Sequence, residues 1–192
     1  MSQSFRLHLA YGAVFLLLCS LAAGCGDGTS AASPSELFPA LLEGMQVRLS
    51  RRASHCDRPS FDGLVAEVDA NMEFPAEAVK SLPPPCPDST HPGVEIYLAG
   101  NSLILDFRQI ESPARFAEAQ FNGYDVTLVR SCGDPVIAVA TLDSDSSNLD
   151  IRPRRVESAF DRIEINLSGV AFDADSFLEI DLEVASINCI NG

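Results

Sequence analysis

The feature that most constrains the fold is a two-residue alternation of apolar and polar side chains that begins at residue 94. Apolar side chains occupy positions 94, 96 and 98, and then positions 103, 105 and 107, with Gly100-Asn101 between the two runs. Alternate side chains of a β-strand point to opposite faces of the sheet, and a Gly-Asn pair is a signal for a tight turn. This segment therefore predicts an antiparallel hairpin with one buried face.

The same alternation predicts further strands towards the C-terminus. Apolar side chains alternate with polar ones over 163–167 and over 178–184. Asn122-Gly123 precedes another alternating run over 124–128, and because Asn-Gly is the strongest two-residue hairpin signal, we expect a second hairpin there. Residues 136–142 are apolar on both faces, which is typical of a strand in the centre of a sheet.

Short strands of this number and spacing, joined by Gly, Asn, Asp and Pro, predict a mainly β protein. We expect an antiparallel β-sandwich of about seven to nine strands. An open barrel is the alternative architecture.

The segment before these strands has a mixed pattern. Residues 37–44 and 74–82 each have the spacing of a short helix, and short strands are expected over 47–49 and 64–68. We therefore expect residues 35–82 to form a small helical N-terminal segment with some strand, lying as a cover on the β-rich core.

A proline-rich stretch separates the two parts. Residues 83–93 contain five prolines, which fix the backbone φ angle and remove hydrogen-bond donors, so no regular element is expected to cross them. We expect this stretch to connect the cover to the sandwich core at 94–192, and the whole of 35–192 to form a single β-rich domain.

The first 25 residues have the pattern of an export signal. Arg6 precedes an apolar stretch over 9–23 without a charged residue, which ends in Leu21-Ala22-Ala23-Gly24-Cys25. This ending resembles the lipobox of bacterial lipoproteins. The resemblance implies that residues 1–24 are removed as a signal peptide and that Cys25 becomes the lipidated N-terminal residue. A plain secretory signal and an uncleaved anchor are the alternatives.

The residues after Cys25 bear on the location. Residues 25–34 are small and polar after the cysteine, so we expect a flexible tether. The resemblance implies a lipid anchor in the bacterial cell envelope, with the membrane as the partner of the N-terminal lipid. Gly26, rather than Asp, follows the cysteine, and under the sorting rule of enterobacterial lipoproteins this points to the outer membrane.

Four further cysteines follow the signal segment: Cys56, Cys86, Cys132 and Cys189. An even number of cysteines in an exported chain predicts two disulfides, with three pairings open. We prefer Cys56 with Cys86 and Cys132 with Cys189, because each bridge then stays within one of the two segments. A zinc site formed by His55, Cys56, Cys86 and His91 is the alternative.

An acidic loop is the best metal candidate in the sequence. Asp143, Asp145, Asn148 and Asp150 place oxygen atoms at close intervals, as Ca²⁺ requires. The loop lacks the glycine and the bidentate Glu of an EF-hand, and the same residue types are common in hairpin turns without metal. No other cofactor is indicated.

The chain is acidic overall, with a formal net charge of −14. This charge argues against nucleic acid as a partner, because proteins bind phosphate backbones through an excess of clustered Lys and Arg.

Arginines nevertheless form two clusters on this acidic chain. The first cluster is Arg48, Arg51, Arg52 and Arg58, and the second is Arg152, Arg154 and Arg155. An anionic ligand between them is one interpretation, since guanidinium groups bind carboxylate and phosphate in a fork geometry. The other interpretation is that both clusters lie in solvated loops, where they neutralise the charge of neighbouring acidic residues.

The sequence offers few groups for nucleophilic catalysis, with two His after the signal segment and no Gly-x-Ser-x-Gly motif. We therefore expect a cell-envelope lipoprotein with a non-catalytic binding or structural β-sandwich domain. The alternative is an envelope hydrolase with its site near residues 143–150, with or without calcium.

Overall fold

A computed structural model describes residues 42–54, 63–69, 73–84, 86 and 92–186. All of these residues belong to one compact unit, which spans Ala32–Gly192. The signal peptide, the lipidation of Cys25, the tether and most of the helix predicted at 37–44 lie outside the described residues.

Eleven strands, one short helix and one 3₁₀ turn are present in the described ranges. The strands are β1 (Gln46–Ala53), β2 (Leu64–Glu67), β3 (Glu95–Ala99), β4 (Ser102–Asp106), β5 (Ala114–Arg115), β6 (Asn122–Val129), β7 (Pro135–Leu142), β8 (Val156–Ala159), β9 (Arg162–Asn166), β10 (Ala171–Phe172) and β11 (Phe177–Ser186). The helix α1 covers Ala76–Ser81 and the 3₁₀ turn covers Pro153–Arg155. The prediction of a mainly β protein with antiparallel sheets is confirmed.

The larger sheet has five strands in the order β2-β1-β6-β9-β8. Strand β1 is an interior strand of this sheet, because it pairs with β2 on one side and along its whole length with β6 on the other. The N-terminal segment, which we expected to be a cover, therefore supplies two strands of the sheet itself. Helix α1 lies within the predicted helix at 74–82, and it buries Ala76 and Val79.

A second sheet has four strands in the order β3-β4-β11-β7. The hairpin predicted from residue 94 onwards is confirmed, since β3 and β4 pair antiparallel from Glu95 opposite Asp106 to Ala99 opposite Ser102. Gly100 in the connecting turn has a φ of 63°. A positive φ is costly for residues with a Cβ atom, so glycine is the residue that suits this turn.

The two sheets contribute to one hydrophobic core. Leu49 and Ile163 of the five-stranded sheet and Leu105 and Ile180 of the four-stranded sheet are all fully buried. Burial of this apolar surface is the main stabilising contribution to such a domain.

The hairpin predicted at Asn122-Gly123 is wrong, because these residues begin strand β6 and do not form a turn. Gly123 pairs with Arg52 on one side and with Asn166 on the other. A Cβ atom at Gly123 would lie 1.8 Å from the carbonyl oxygen of Ile165. The glycine is needed here for a close backbone approach between β6 and β9.

The prediction of a central strand at 136–142 is also wrong, because β7 is the last strand of the four-stranded sheet. Its free edge faces β8 and the turn that follows β8. The Ile137 amide donates to the Phe160 carbonyl at 2.8 Å, and the Ala140 amide donates to the Ser158 hydroxyl at 3.1 Å. The strand therefore has neighbours on both edges although it pairs in only one sheet.

Candidate functional site

A groove lined by arginines is the most distinctive cavity of the described residues, and we call it the arginine groove. Its volume is about 380 Å³, which lies within the range of small-molecule sites, about 300–1,000 Å³. The lining residues are Arg115, Asp150, Arg152, Arg154, Arg155 and the backbone segment 169–171.

Three of the four arginines come from the segment that leads into β8. Arg152 is the residue before the 3₁₀ turn, and Arg154 and Arg155 lie within it. Pro153 suits the first position of this turn because its φ is already fixed near the helical value. The Arg155 amide donates to the Arg152 carbonyl at 2.9 Å, which closes the turn. The turn thus holds three cationic side chains close together.

The fourth arginine, Arg115, reaches the groove through a long-range strand pair. Strands β5 and β10 form a two-stranded ribbon in which Arg115 lies opposite Ala171. The Arg115 Nη1 atom donates to the Gly169 carbonyl at 2.7 Å. Gly169 has a φ of 70°, a conformation that glycine adopts without strain. The ribbon therefore contributes a strand arginine to the groove, in addition to the arginines of the 3₁₀ turn.

The groove contains both anchored and unpaired guanidinium groups. Arg155 Nη1 donates to the Ser168 carbonyl, as Arg115 does to Gly169, so these two side chains are held by backbone. Over the described ranges, Arg152 and Arg154 are exposed, and their side chains make no hydrogen bond or ion pair. Asp150, the one acidic lining residue, is also without an ion pair to any described arginine. The groove therefore carries an excess of positive charge on a chain whose net charge is −14.

Such a cavity can bind an anion. Each guanidinium offers five N–H donors in a planar fork that fits carboxylate and phosphate oxygens. An ionised acceptor makes these hydrogen bonds about twice as strong as neutral ones. Binding is therefore the chemistry that the groove residues supply.

The structure separates the two arginine clusters of the sequence. The second cluster, at 152–155, lies in the groove, where it is joined by Arg115, a residue that no sequence pattern connected with this cluster. In the first cluster, Arg52 is engaged elsewhere: it pairs with Asp125 at 3.0 Å and with Glu164 at 3.1 Å. Arg48 is exposed on β1, and Arg58 lies outside the described residues.

Arg51 of the first cluster is buried inside the domain. Its Nη1 atom donates to Asn122 Oδ1 at 2.7 Å and to the Gly123 carbonyl at 3.0 Å. Its guanidinium carbon lies 4.9 Å from the centre of the Phe116 ring and 5.1 Å from that of Tyr124. Burial lowers the pKa of Arg51, and burial raises the pKa of the Tyr124 hydroxyl to about 12. These contacts stabilise the start of β6, and they give Arg51 a structural role.

The acidic loop is organised by hydrogen bonds as a turn. The Asp143 carboxylate accepts from the Asp145 amide at 2.9 Å and from the Ser146 amide at 3.2 Å. Hydrogen bonds from the Ser146 side chain and from these two amides lower the pKa of Asp143. Asn148 Oδ1 accepts from the Phe177 amide at 2.7 Å, so this side chain joins the loop to β11.

The four residues predicted to bind calcium have different surroundings. Asp143 lies near Glu179 and Asp181, with the three carboxylates within 4.8 Å of one another, whereas Asp150 lines the arginine groove. In the described part of the chain, Asp145 and Asp150 belong to no group of three acidic ligands. Exposed acidic groups are common without a metal, so the calcium site and the hydrolase alternative at 143–150 stay predictions.

The cysteine pairing also stays a prediction. Cys86, which is buried, and Cys132, which is exposed in a turn, are each disulfide-bonded. Cys56 and Cys189, the preferred partners, lie outside the described residues, as do His55 and His91 of the zinc alternative.

Comparisons with known proteins leave the family of the chain open. In the part of the chain that the structure describes, none of the helices has the length and hydropathy needed to cross a membrane. No protein-family model, no curated protein and no solved structure matches this chain.

Proposed function

We propose that the chain is a bacterial cell-envelope lipoprotein whose β domain is a non-catalytic module that binds an anionic ligand in the arginine groove. The observation that carries the proposal is the convergence of four arginines on one cavity of about 380 Å³, two of them without a partner in the described ranges. A bound anion would supply the missing partners.

The charge balance of the chain makes this convergence informative. The sequence has 27 acidic residues against 13 Lys and Arg, so carboxylates outnumber cationic side chains about twofold. Arg52 and Arg162, for example, both pair with Glu164. Grouping cations that are not neutralised costs electrostatic energy, which a ligand of opposite charge offsets. The groove thus has the composition of a binding surface.

The architecture that we propose for this module is a β-sandwich. Its support is the single core shared by the five-stranded and four-stranded sheets. A second observation supports the sandwich. The Ile137 amide donates to the Phe160 carbonyl, so the edge of β7 in one sheet lies beside the end of β8 in the other. Antiparallel sandwiches commonly carry their binding sites on connecting loops, where the 3₁₀ turn of the groove is found.

The lipid anchor at Cys25 is the part of the proposal supported by the sequence alone. The apolar stretch at 9–23 and the ending Leu21-Ala22-Ala23-Gly24-Cys25 support export and lipidation, and Gly26 supports the outer membrane. In this location a short tether would hold the domain close to the membrane, where it would encounter ligands of the cell envelope. We also propose that the remaining cysteines form two disulfides, as is common in exported proteins.

The anchor is tested by expression of the Cys25→Ser variant in a bacterial host. We expect the wild-type chain in the membrane fraction with the mass of an added lipid, and the variant without that mass and largely outside the membrane fraction. Cys19→Ser is the matched control, since its cysteine follows three leucines within the apolar stretch, and we expect it to behave as the wild type. A lipidated Cys25→Ser protein would contradict the proposal.

The binding function is tested by calorimetry with a panel of anions, namely phosphate, sulfate and citrate. We expect binding that weakens with added salt and drops about tenfold or more when Arg152 and Arg154 are both changed to Ala, since each hydrogen bond to a charged group contributes substantially. Arg48→Ala is the control, because this exposed arginine lies outside the groove. Absence of binding, or equal loss in the control, would refute the assignment of the groove.

A further inference from the structure

We infer that the arginine groove selects phosphate esters that carry two or more negative charges over ligands that carry only carboxylates. This inference rests on the proposed function, and it adds the chemical class of the ligand. The features that support it are the charge of the groove, the two walls from which its arginines come, the anchoring of two of them, and its size.

The charge of the groove favours a ligand with more than one negative charge. Among the described lining residues, four guanidinium groups stand against one carboxylate, Asp150. A monoanion would leave most of this positive charge unmatched, and like charges at close range repel each other. A phosphate monoester carries close to two negative charges at neutral pH, so one such group already offsets most of the excess.

The placement of the arginines favours a tetrahedral oxyanion. Arg115 belongs to the β5–β10 ribbon, whereas Arg152, Arg154 and Arg155 belong to the segment at the 3₁₀ turn, so the donors come from two different structural elements, each of which we call a wall of the groove. A planar carboxylate has two oxygens and is filled by one or two guanidinium forks. A phosphate ester presents three acceptor oxygens that point in different directions, and it can therefore be contacted from both walls at once.

Two of the arginines are already ordered before a ligand arrives. Arg115 donates one N–H to Gly169, and Arg155 uses one nitrogen, Nη1, for Ser168. A guanidinium has five N–H donors, so each side chain keeps further donors for a ligand. Because backbone carbonyls fix their positions, these side chains lose less rotamer freedom when a ligand binds. The entropy cost of binding is therefore smaller, and the affinity for the anion is higher.

The size of the groove favours an ester over inorganic phosphate. The groove volume of 380 Å³ equals the volume that roughly a dozen molecules occupy in liquid water, at about 30 Å³ each. Inorganic phosphate would fill only a part of this space. Gly169, Val170 and Ala171 line the groove beside Arg115 without adding charge, and an organic group attached to the phosphate can lie against them. The ester could be a soluble metabolite or the headgroup of a phospholipid, since both present the same chemistry.

The test compares two soluble ligands on the full-length chain, purified in a non-ionic detergent. Fructose 1,6-bisphosphate is the phosphate-ester probe, and citrate is the carboxylate probe of similar charge. We expect the bisphosphate to bind about tenfold or more tightly than citrate, the difference of roughly one strong charge-assisted contact. If both ligands bind equally through the groove, the inference is overturned while the proposed function stands. If neither phosphate esters nor any other anion binds, both are overturned.

Two variants test whether the binding uses the groove charges. Arg154→Lys keeps the charge and removes the planar fork, so we expect it to weaken the bisphosphate more than citrate. Asp150→Asn removes the one acidic group among the described lining residues, so we expect it to tighten both ligands. An unchanged affinity in both variants would overturn the charge argument, and thermal melting of each variant verifies that the domain is folded.

The source of the ester is distinguished in a separate arm. Phosphatidylcholine vesicles with and without phosphatidic acid are tested for co-sedimentation with the Cys25→Ser variant of the full chain. Binding that depends on phosphatidic acid and on Arg152 identifies a lipid headgroup. Binding of the soluble bisphosphate without vesicle binding identifies a soluble ester. Either result supports the inference.

Discussion

Replacement of Gly123 by Ala tests the close approach of strands β6 and β9. The Cβ atom of an alanine would lie 1.8 Å from the Ile165 carbonyl oxygen and 2.9 Å from its carbonyl carbon. Ordinary contact begins near 3.4 Å, so the two strands would have to separate by about 1.6 Å at this point. The clash is with backbone on a neighbouring strand, which no side-chain rotation can relieve.

The magnitude follows from the contacts that such a separation would break. The Leu167 amide donates to the Asn122 carbonyl at 2.9 Å beside this position, and Arg51 donates to the Gly123 carbonyl at 3.0 Å. Overpacking costs about 1–3 kcal/mol, and each lost hydrogen bond adds about 1 kcal/mol. We therefore expect Gly123→Ala to lower the free energy of unfolding by about 3–5 kcal/mol, a large part of the about 5–15 kcal/mol typical of a domain.

The assay is urea unfolding followed by circular dichroism, with thermal melting as a second readout. A loss of this size corresponds to a fall in Tm of about 10 °C for a domain of this length. Gly100→Ala is the matched control, since Gly100 has a φ of 63° and nothing within 4 Å of its Cβ position. We expect the control to cost only about 1–2 kcal/mol, the strain of a left-handed residue.

The two variants distinguish the observed strand from the turn that the sequence suggests. If Asn122-Gly123 formed a hairpin turn, Gly123→Ala would cost no more than Gly100→Ala. Equal losses in the two variants would therefore refute the close approach of β6 and β9.

Three further substitutions test other features. Arg51→Lys removes a buried planar donor that contacts two aromatic rings, and it should cost about 2–3 kcal/mol in urea unfolding. Arg48→Lys on the surface should be neutral, and equal midpoints for the two variants would contradict the buried role of Arg51. Phe160 is 70% exposed and has a φ of 50°, a conformation that glycine adopts without strain. Phe160→Gly should therefore raise the free energy of unfolding by about 0.5–1 kcal/mol. A lower Tm would show that the ring makes a stabilising contact. Burial raises the pKa of Glu73 above its ordinary value of 4.5, and this effect outweighs the hydrogen bond from the Leu98 amide, which lowers the pKa. The folded state therefore binds the proton more tightly than the unfolded state does. Stability should therefore fall as the pH rises from about 4.5 through the folded pKa, and Glu73→Gln should remove this dependence, as pH-dependent urea unfolding would show.

Local patterns were sufficient for the elements whose partners are close in the chain. The hairpin of β3 and β4 follows from its alternation and from Gly100-Asn101, because turn and strands lie within a dozen residues. Strands β9 and β11 follow from alternation alone, since one face of each is buried and the other is half-buried or exposed. In all of these, the information needed to form the element is contained in the segment itself.

Long-range contacts decided the elements that the patterns misplaced. Gly123 allows a tight turn and also a close approach between strands, and only the position of Ile165 on β9 selects the second. Strand β7 is apolar on both faces like a central strand, yet it lies at the edge of its sheet with β8 beside it. In each case the sequence signal is compatible with two environments, and the partner that selects one is distant in the chain.

The candidate site divides in the same way. The cluster at 152–155 is visible in the sequence because its arginines are neighbours in the chain. Arg115 could not be assigned to it, because its place depends on the pairing of β5 with β10, and that pair of two-residue strands has no periodicity to read. The sequence by itself determined the β class and one wall of the groove. The tertiary structure decided the second wall, since only the fold brings Arg115 and the backbone of 169–171 to the same cavity.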